Sequence, residues 1–353
     1  MAFEILGYVD LAAVNNGWSL ELDKINQFLY TMDHTTYSNS PRIRKIRCSD
    51  MTIIDTLTTS FNGSQRTDVQ RIDEDRGFLY VTCAIQKYLL KINLSTFSEV
   101  TKITLSYGPK SIGMSIDLVN NLGYIENYCT GSVENFIKIN LDAMTYSTGS
   151  NFTSSGCNYY GGAFHDGHSY FGKDPSSVTN NIIKLDTSPY LVANCTLNGT
   201  SEGGMQSRIA VDTIRNFLYV LVYTYDPTYG GELFKIDLST FTVVDQVIID
   251  TGALELYAYG LVYDESSQLA YIPCSDYNAN AQIYIVNCAT MTVLETTLSL
   301  PRNGAIGMGV LDTNCFYLCQ QQAGVSGRVW KIGLYSLPIS SILMYKFRPV
   351  VLT

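Results

Sequence analysis

One phrase recurs down the chain: an apolar strand ending in Asp, a short turn, a Phe/Leu-Tyr-Val strand, then Lys-Ile-Asp/Asn-Leu-Ser-Thr-Phe and a further apolar strand. Its clearest copies run Arg71-Ile72-Asp73 to Phe78-Leu79-Tyr80-Val81 to Lys91-Ile92-Asn93-Leu94-Ser95-Thr96-Phe97, and Ala210-Val211-Asp212 to Phe217-Leu218-Tyr219-Val220 to Lys235-Ile236-Asp237-Leu238-Ser239-Thr240-Phe241. The first Asp falls at Asp23, Asp73, Asp117, Asp166, Asp212, Asp264 and Asp312, so the units are spaced by about 44 to 52 residues. A second landmark, the Ile of Lys-Ile or its equivalent, falls at Ile46, Ile92, Ile139, Leu185, Ile236, Val286 and Ile332. The fourth unit is the loosest, because Phe164-His165-Asp166-Gly167-His168-Ser169-Tyr170-Phe171 replaces the usual strand and turn.

A period of roughly 40 to 50 residues with four strand-like segments per unit is the pattern of propeller blades. In the fifth unit the segments read Arg208 to Asp212 (A), Phe217 to Tyr223 (B), Leu233 to Leu238 (C) and Val243 to Ile249 (D). Short A-to-B and C-to-D links make antiparallel hairpins, and hence a four-stranded meander. One meander alone leaves apolar faces in water, so neighbours must stack face to face around an axis. The expectation is an all-β fold: a seven-bladed β-propeller of four-stranded antiparallel blades, closed by pairing of the termini. One domain, 1–353, holds blades that begin near 18, 69, 113, 161, 208, 260 and 308. Phe3 to Val9 is placed to supply the outer strand of the seventh blade, with Ile339 to Leu352 as a competitor. The Asp that closes A and the Asp or Asn that closes C read as acceptors for turn amides.

Charged residues make up 16% of the chain, against roughly 25% in an average soluble protein. Ser, Thr, Asn and the 26 Tyr must therefore finish the surface. Such a surface suits protein partners, glycans or copies of the same chain in an assembly. The net charge of -9 and the dispersed Lys and Arg argue against nucleic acid, which needs a basic stripe. The one basic cluster, Arg42-Ile43-Arg44-Lys45-Ile46-Arg47, alternates with Ile as a strand with a solvated face. No run of about 18 apolar residues exists to span a membrane. Residues 1–14 contain Glu4 and Asp10 without a basic start, so no signal peptide is read there. Either the chain is intracellular or a leader has been removed.

The nine Cys contain no CxxC, and zinc is not expected. Cys274 with Cys288, and Cys157 with Cys195, are disulfide candidates; small buried thiols are the equal alternative. Sequons mark Asn62, Asn93, Asn151, Asn194 and Asn198 as glycosylation candidates, about as many as chance supplies.

Tyr80-Val81-Thr82-Cys83 followed by Lys91-Ile92-Asn93-Leu94-Ser95-Thr96, with copies at Tyr219-Val220 and Tyr271-Ile272, resembles the YVTN family of β-propeller repeats, close to the NHL type. The resemblance covers nearly the whole chain, with Cys83 where the family places Asn. It implies a propeller in an extracellular, cell-surface or particle-surface setting, and it specifies no reaction.

With A innermost, the B-to-C and D-to-A loops share one face and the A-to-B and C-to-D hairpins the other. The first face is expected to carry function. The fifth and sixth units concentrate Tyr223, Tyr225, Tyr229, Tyr257, Tyr259 and Tyr277 there, with Asp226, Glu255 and Asp276 among them. Flat amphipathic rings beside hydrogen-bonding groups suit a protein or glycan contact, although packing between blades would equally use them. His165 and His168 are the candidates for a metal or an acid-base pair near the axis, as in a metal-assisted lyase or hydrolase. Read on a single strand, i and i+3 face opposite ways, which disfavours that role. No serine-nucleophile signature occurs, and Gly161-Gly162, Gly203-Gly204 and Gly230-Gly231 are turn residues. The reading favours a non-catalytic interaction scaffold without a cofactor.

Overall fold

The structure, a computed structural model, describes residues 2–11, 19–33, 41–61, 70–83, 88–105, 112–127, 133–153, 158–174, 180–197, 208–222, 231–249, 257–258, 260–275, 280–303, 306–320 and 327–335. All of its regular structure is β. Strand β1 is Ala2–Asp10. The first meander follows as β2 (Leu20–Asp23), β3 (Phe28–Asp33), β4 (Arg42–Arg47) and β5 (Thr52–Thr58). The second is β6 (Gln70–Asp73), β7 (Phe78–Cys83), β8 (Tyr88–Asn93) and β9 (Ser98–Thr104). The third is β10 (Ile112–Asp117), β11 (Leu122–Asn127), β12 (Val133–Asn140) and β13 (Thr145–Thr153). The fourth is β14 (Asn158–His165), β15 (His168–Asp174), β16 (Asn180–Leu185) and β17 (Leu191–Leu197).

The fifth is β18 (Arg208–Asp212), β19 (Phe217–Val222), β20 (Gly231–Asp237) and β21 (Thr242–Ile249), within two residues of the bounds read from sequence. In the sixth, β22 (Tyr257–Ala258) and β23 (Val262–Asp264) both pair with β24 (Leu269–Ser275), and β25 (Asn280–Asn287) and β26 (Thr292–Asn303) complete the sheet. The last holds β27 (Ile306–Leu311), β28 (Cys315–Gln320) and β29 (Arg328–Tyr335), and β1 pairs antiparallel with β29 as its fourth strand. The rival segment Ile339 to Leu352 lies outside the described residues.

These strands form six sheets, because the third and fourth meanders are joined edge to edge through a parallel bridge between β10 and β14, Ile112 opposite Tyr160 and Gly113 opposite Gly161. First strands of neighbouring meanders touch: β2 with β6, β6 with β10, β14 with β18, β23 with β27, and β27 with β2. Seven buried clusters each join two successive meanders. One mixes Tyr219 and Leu233 with Ile272 and Val286, and another mixes Tyr317 and Val329 with Leu20 and Ile46, across the first and last meanders. Each fully buried Leu, Ile or Phe contributes roughly 1.5–3 kcal/mol, so the seams hold most of the stability.

The recurrent phrase acquires a physical meaning at these seams. Second-strand Tyr30, Tyr80, Tyr124, Tyr170, Tyr219, Tyr271 and Tyr317 are all buried. In six meanders that Tyr stands directly opposite a third-strand Lys, as in Tyr30 with Lys45 and Tyr80 with Lys91. In four of these the Lys lies over its own strand-pair's aromatic ring and reaches into the next meander. Lys45 Nζ donates to the Leu94 carbonyl (3.2 Å), Lys91 to Leu141 (2.7 Å), Lys235 to Cys288 (3.1 Å) and Lys331 to Cys48 (2.6 Å). Each acceptor is the first residue of a four-residue turn between third and fourth strands.

The last residue of that turn is left-handed: Met51, Phe97, Met144, Phe241 and Met291 have φ between 46° and 57°. A left-handed non-glycine costs roughly 1–2 kcal/mol, and burial of each of these large side chains at a seam offsets it. In the sixth meander the Lys is replaced by buried Ile285, opposite Tyr271. Its neighbour's fourth strand, β1, arrives from the other end of the chain, so among the described residues no third-to-fourth-strand turn offers a carbonyl there.

Candidate functional site

The expected contact residues Tyr223, Tyr225, Asp226, Tyr229, Tyr259, Asp276 and Tyr277 lie outside the described residues, as does Glu255. Tyr257 departs from expectation: its backbone is not loop but the two-residue strand β22, paired with Ser275. Among the sequons, Asn93 closes β8, and its Oδ1 accepts from Ser95 N, Ser95 Oγ and Thr96 N. Asn194 is exposed on β17. Asn151 lies on β13, and Asn62 and Asn198 fall outside the described residues.

Two expectations are corrected. Cys274 and Cys288 are free and buried, as is Cys195, so neither proposed disulfide is formed. These thiols fill gaps at seams; burial pushes the Cys48 thiol up to about 11 and Cys288 up to about 12, which keeps them protonated and unreactive. His165 and His168 do not sit on one strand. They close β14 and open β15 across the turn Asp166-Gly167, with φ of 46° and 72°, and face each other as a cross-strand pair on the same side. His168 Nδ1 donates to the Asp166 carbonyl at 2.6 Å. Among the described residues no group of three His, Cys, Asp or Glu side chains could hold a metal ion.

The face that the structure does describe is the hairpin face. There the strand-ending aspartates act as read from sequence: Asp23 accepts from Asn26 N, Asp73 from Arg76 N, Asp117 from Val119 N and Asn120 N, and Asp212 from Ile214 N and Arg215 N. Burial alone would raise the Asp212 carboxyl, but hydrogen bonds from Tyr263, the Arg215 backbone and the Arg215 guanidinium hold it below the usual carboxylate range. Turns also clasp one another. Arg76 reaches the Leu118 carbonyl, Arg215 reaches the Glu265 carbonyl, and the Glu265 carboxylate accepts from Thr213 and Ile214 N.

At the axis, one guanidinium ties four meanders together. Arg71 donates to the Met114 carbonyl (3.0 Å), the Gln70 carbonyl (2.8 Å), the Gly162 carbonyl (3.2 Å) and Glu21 Oε1 (3.2 Å). Burial of the Glu21 side chain, 13% exposed, outweighs Arg71 and pushes its carboxyl up to about 7. Beside this pair opens a cavity of about 650 Å3, with Glu21, Lys24 and Glu74 on one wall and Val211, Leu261 and Val310 on the other. Sequence reasoning missed both Arg71 and Glu21. The available signal was a charge inside each of two innermost strands, where an apolar or small residue would pack more readily.

No family model and no curated protein matches the chain. Solved structures do. The β-propeller domain of Cps50 (Swd1) from Myceliophteria thermophila aligns with a TM-score of 0.69 at 8% identity, covering 94% of this chain and 100% of that one. A chain of the mitotic checkpoint complex aligns at 0.68 and 11%, covering 94% and 92%. A chain of Kuenenia stuttgartiensis hydrazine synthase aligns at 0.66 and 11%, covering 90% and 96%. At these identities the likeness concerns architecture and not activity. The meanders, their stacked seams and these alignments together establish the fold of this chain as a β-propeller.

Proposed function

We propose that the chain is a non-catalytic interaction scaffold: a seven-bladed ring, closed where β1 joins β29, that presents its loop and turn faces to a protein partner. The observation that carries this reading is the use of the recurrent charged side chains. Asp23, Asp73, Asp117 and Asp212 cap turns, Lys45, Lys91, Lys235 and Lys331 bind neighbouring turns, and Arg71 binds backbone carbonyls. Groups so committed hold a rigid platform and are not available as acids, bases or ligands. The repeat phrase supports a YVTN-like lineage, and the low charge supports a surface setting with protein or glycan partners.

The competing reading is a metal-assisted lyase or hydrolase built on His165 and His168, which do share a face. Elemental analysis of the purified full chain separates the two. The scaffold predicts no stoichiometric metal, with His165→Ala and His168→Ala behaving as wild type. A metal at one equivalent, lost in both variants, would replace the scaffold with a metalloenzyme.

A further inference from the structure

The hairpin face carries apolar side chains where turns are ordinarily polar. Ile25, Val119 and Ile214, each the second residue of a turn between first and second strands, are 63%, 89% and 70% exposed, and Leu118 beside Val119 is exposed as well. Ile214 also lines the axial cavity of about 650 Å3, whose apolar wall continues inward through Val211, Leu261 and Val310. Ile214 thus stands at the rim of the cavity, while Ile25 and Val119 are exposed on other turns of the same hairpin face.

The charges of these turns are one-sided. Arg76 and Arg215 are bound to Asp73 and Asp212, which leaves Lys24 as the other cation of these turns among the described residues. Against it stand Glu74, Asp75, Asp166, Glu265 and Asp312 on the turns; Glu74, Asp264 and Glu265 line the cavity, where Glu21 is already paired with Arg71. Clefts with apolar walls and carboxylates of one sign concentrate cations and repel anions.

We propose that this face docks a segment of a partner protein in which aliphatic side chains stand next to Lys or Arg. The aliphatic groups cover Ile25, Val119 and Ile214, and the cation enters the cavity toward Glu74. Charge complementarity selects this occupant: a second copy would bring the same carboxylates against these, and a phosphorylated or lipid surface would be repelled. The proposal rests on the scaffold reading and assigns it a specific face.

The test is selection of a random dodecapeptide display library on the immobilised full chain at about 150 mM salt, close to physiological ionic strength. Peptides pairing Lys or Arg with Leu, Ile or Val are expected to be enriched. Their affinity should fall at least tenfold on the Val119→Ser/Ile214→Ser double variant and severalfold on Glu74→Gln. Asp245→Asn, on the exposed outer strand β21, makes the same charge change and should leave binding intact. All substituted side chains but Glu74 are exposed, so an unchanged melting temperature is expected for those variants.

Enriched peptides that are acidic, or that bind the double variant as well as wild type, would overturn the docking site while leaving the scaffold standing. Equal loss with Asp245→Asn would reduce the effect to bulk charge and overturn it too. Failure to enrich any peptide would count against both readings.

Discussion

At the seam between the second and third meanders a charged side chain reaches across, whereas between the third and fourth two backbones meet. Lys91 lies over the Phe78 ring, 4.1 Å from its centroid, and donates to the Leu141 carbonyl. Lys138 has no equivalent turn ahead of it, because residues 186–190 replace the usual four-residue turn and Asp186 N bonds the Tyr190 carbonyl instead. The fourth meander compensates at the axis. Gly113 and Gly161 pair in parallel, and Gly162 (φ 137°) comes so close that a Cβ there would lie 2.3 Å from the Met114 oxygen. The lesson is that one architecture tolerates two kinds of seam: a long side chain that needs an acceptor, or a glycine contact that needs the absence of side chains.

The most damaging way to break the comparison is to install the charged seam where no turn carbonyl among the described residues accepts it. Ile285→Lys, at a buried site facing Tyr271, should destabilise the protein by about 4 kcal/mol, the order expected for an unpaired buried ammonium. Chemical denaturation measures it, and a loss below about 1 kcal/mol would show that the acceptor turn is irrelevant. Next comes Gly162→Ala, which sets a methyl against backbone that cannot rotate away; a loss of about 3 kcal/mol is expected by the same measurement.

Glu21 sharpens the comparison, since Arg71 binds it together with the Met114 and Gly162 carbonyls of the bridged seam. The folded carboxyl titrates near 7 and the unfolded one near 4.5. The folded state therefore binds the extra proton between these values, so stability falls as pH rises from about 4.5 to 7 and is level above. Arg71, Glu74 and the Ile72 amide are the groups that face it. Relative to Glu21→Gln, the wild type should lose about 3 kcal/mol across that window; parallel pH profiles for the two proteins would refute the shift.

Lys91→Met keeps the stem over Phe78 but removes the bond to Leu141, and about 1.5 kcal/mol should be lost. The smallest effect is a gain. Gln268 is left-handed with φ 56° where the second meander has Gly77 with open space around it, so Gln268→Gly should stabilise by about 0.5 kcal/mol. A melting temperature that drops would show the Gln side chain to be needed.

Much of the fold was legible because its signals are local. The turn aspartates and the strand bounds around Phe217 follow from turn chemistry and alternation, and the phrase repeats them often enough to average out loose copies such as the fourth. The histidines were misplaced because a two-residue left-handed turn at Asp166-Gly167 converts an i, i+3 spacing along one strand into a facing pair. The Cys274–Cys288 pair failed because position along the strand matters: Cys274 stands opposite Gln282, whereas Cys288 follows Asn287 at the far end of the same strand pair. Lys-Ile was recognised as a landmark without its purpose, since its partner lies in the following unit, about 50 residues away.

By itself the sequence determined the repeating meander, the number of times its phrase is written and the capped turns, since each depends only on residues a few positions apart. Tertiary structure alone decided that Lys91 meets Leu141, that Arg71 gathers four meanders, and that Ile214 lines one cavity with Glu21. Those contacts join units whose relative placement is fixed only when apolar sheet faces bury one another, and burial at a seam has no signature in either partner taken alone.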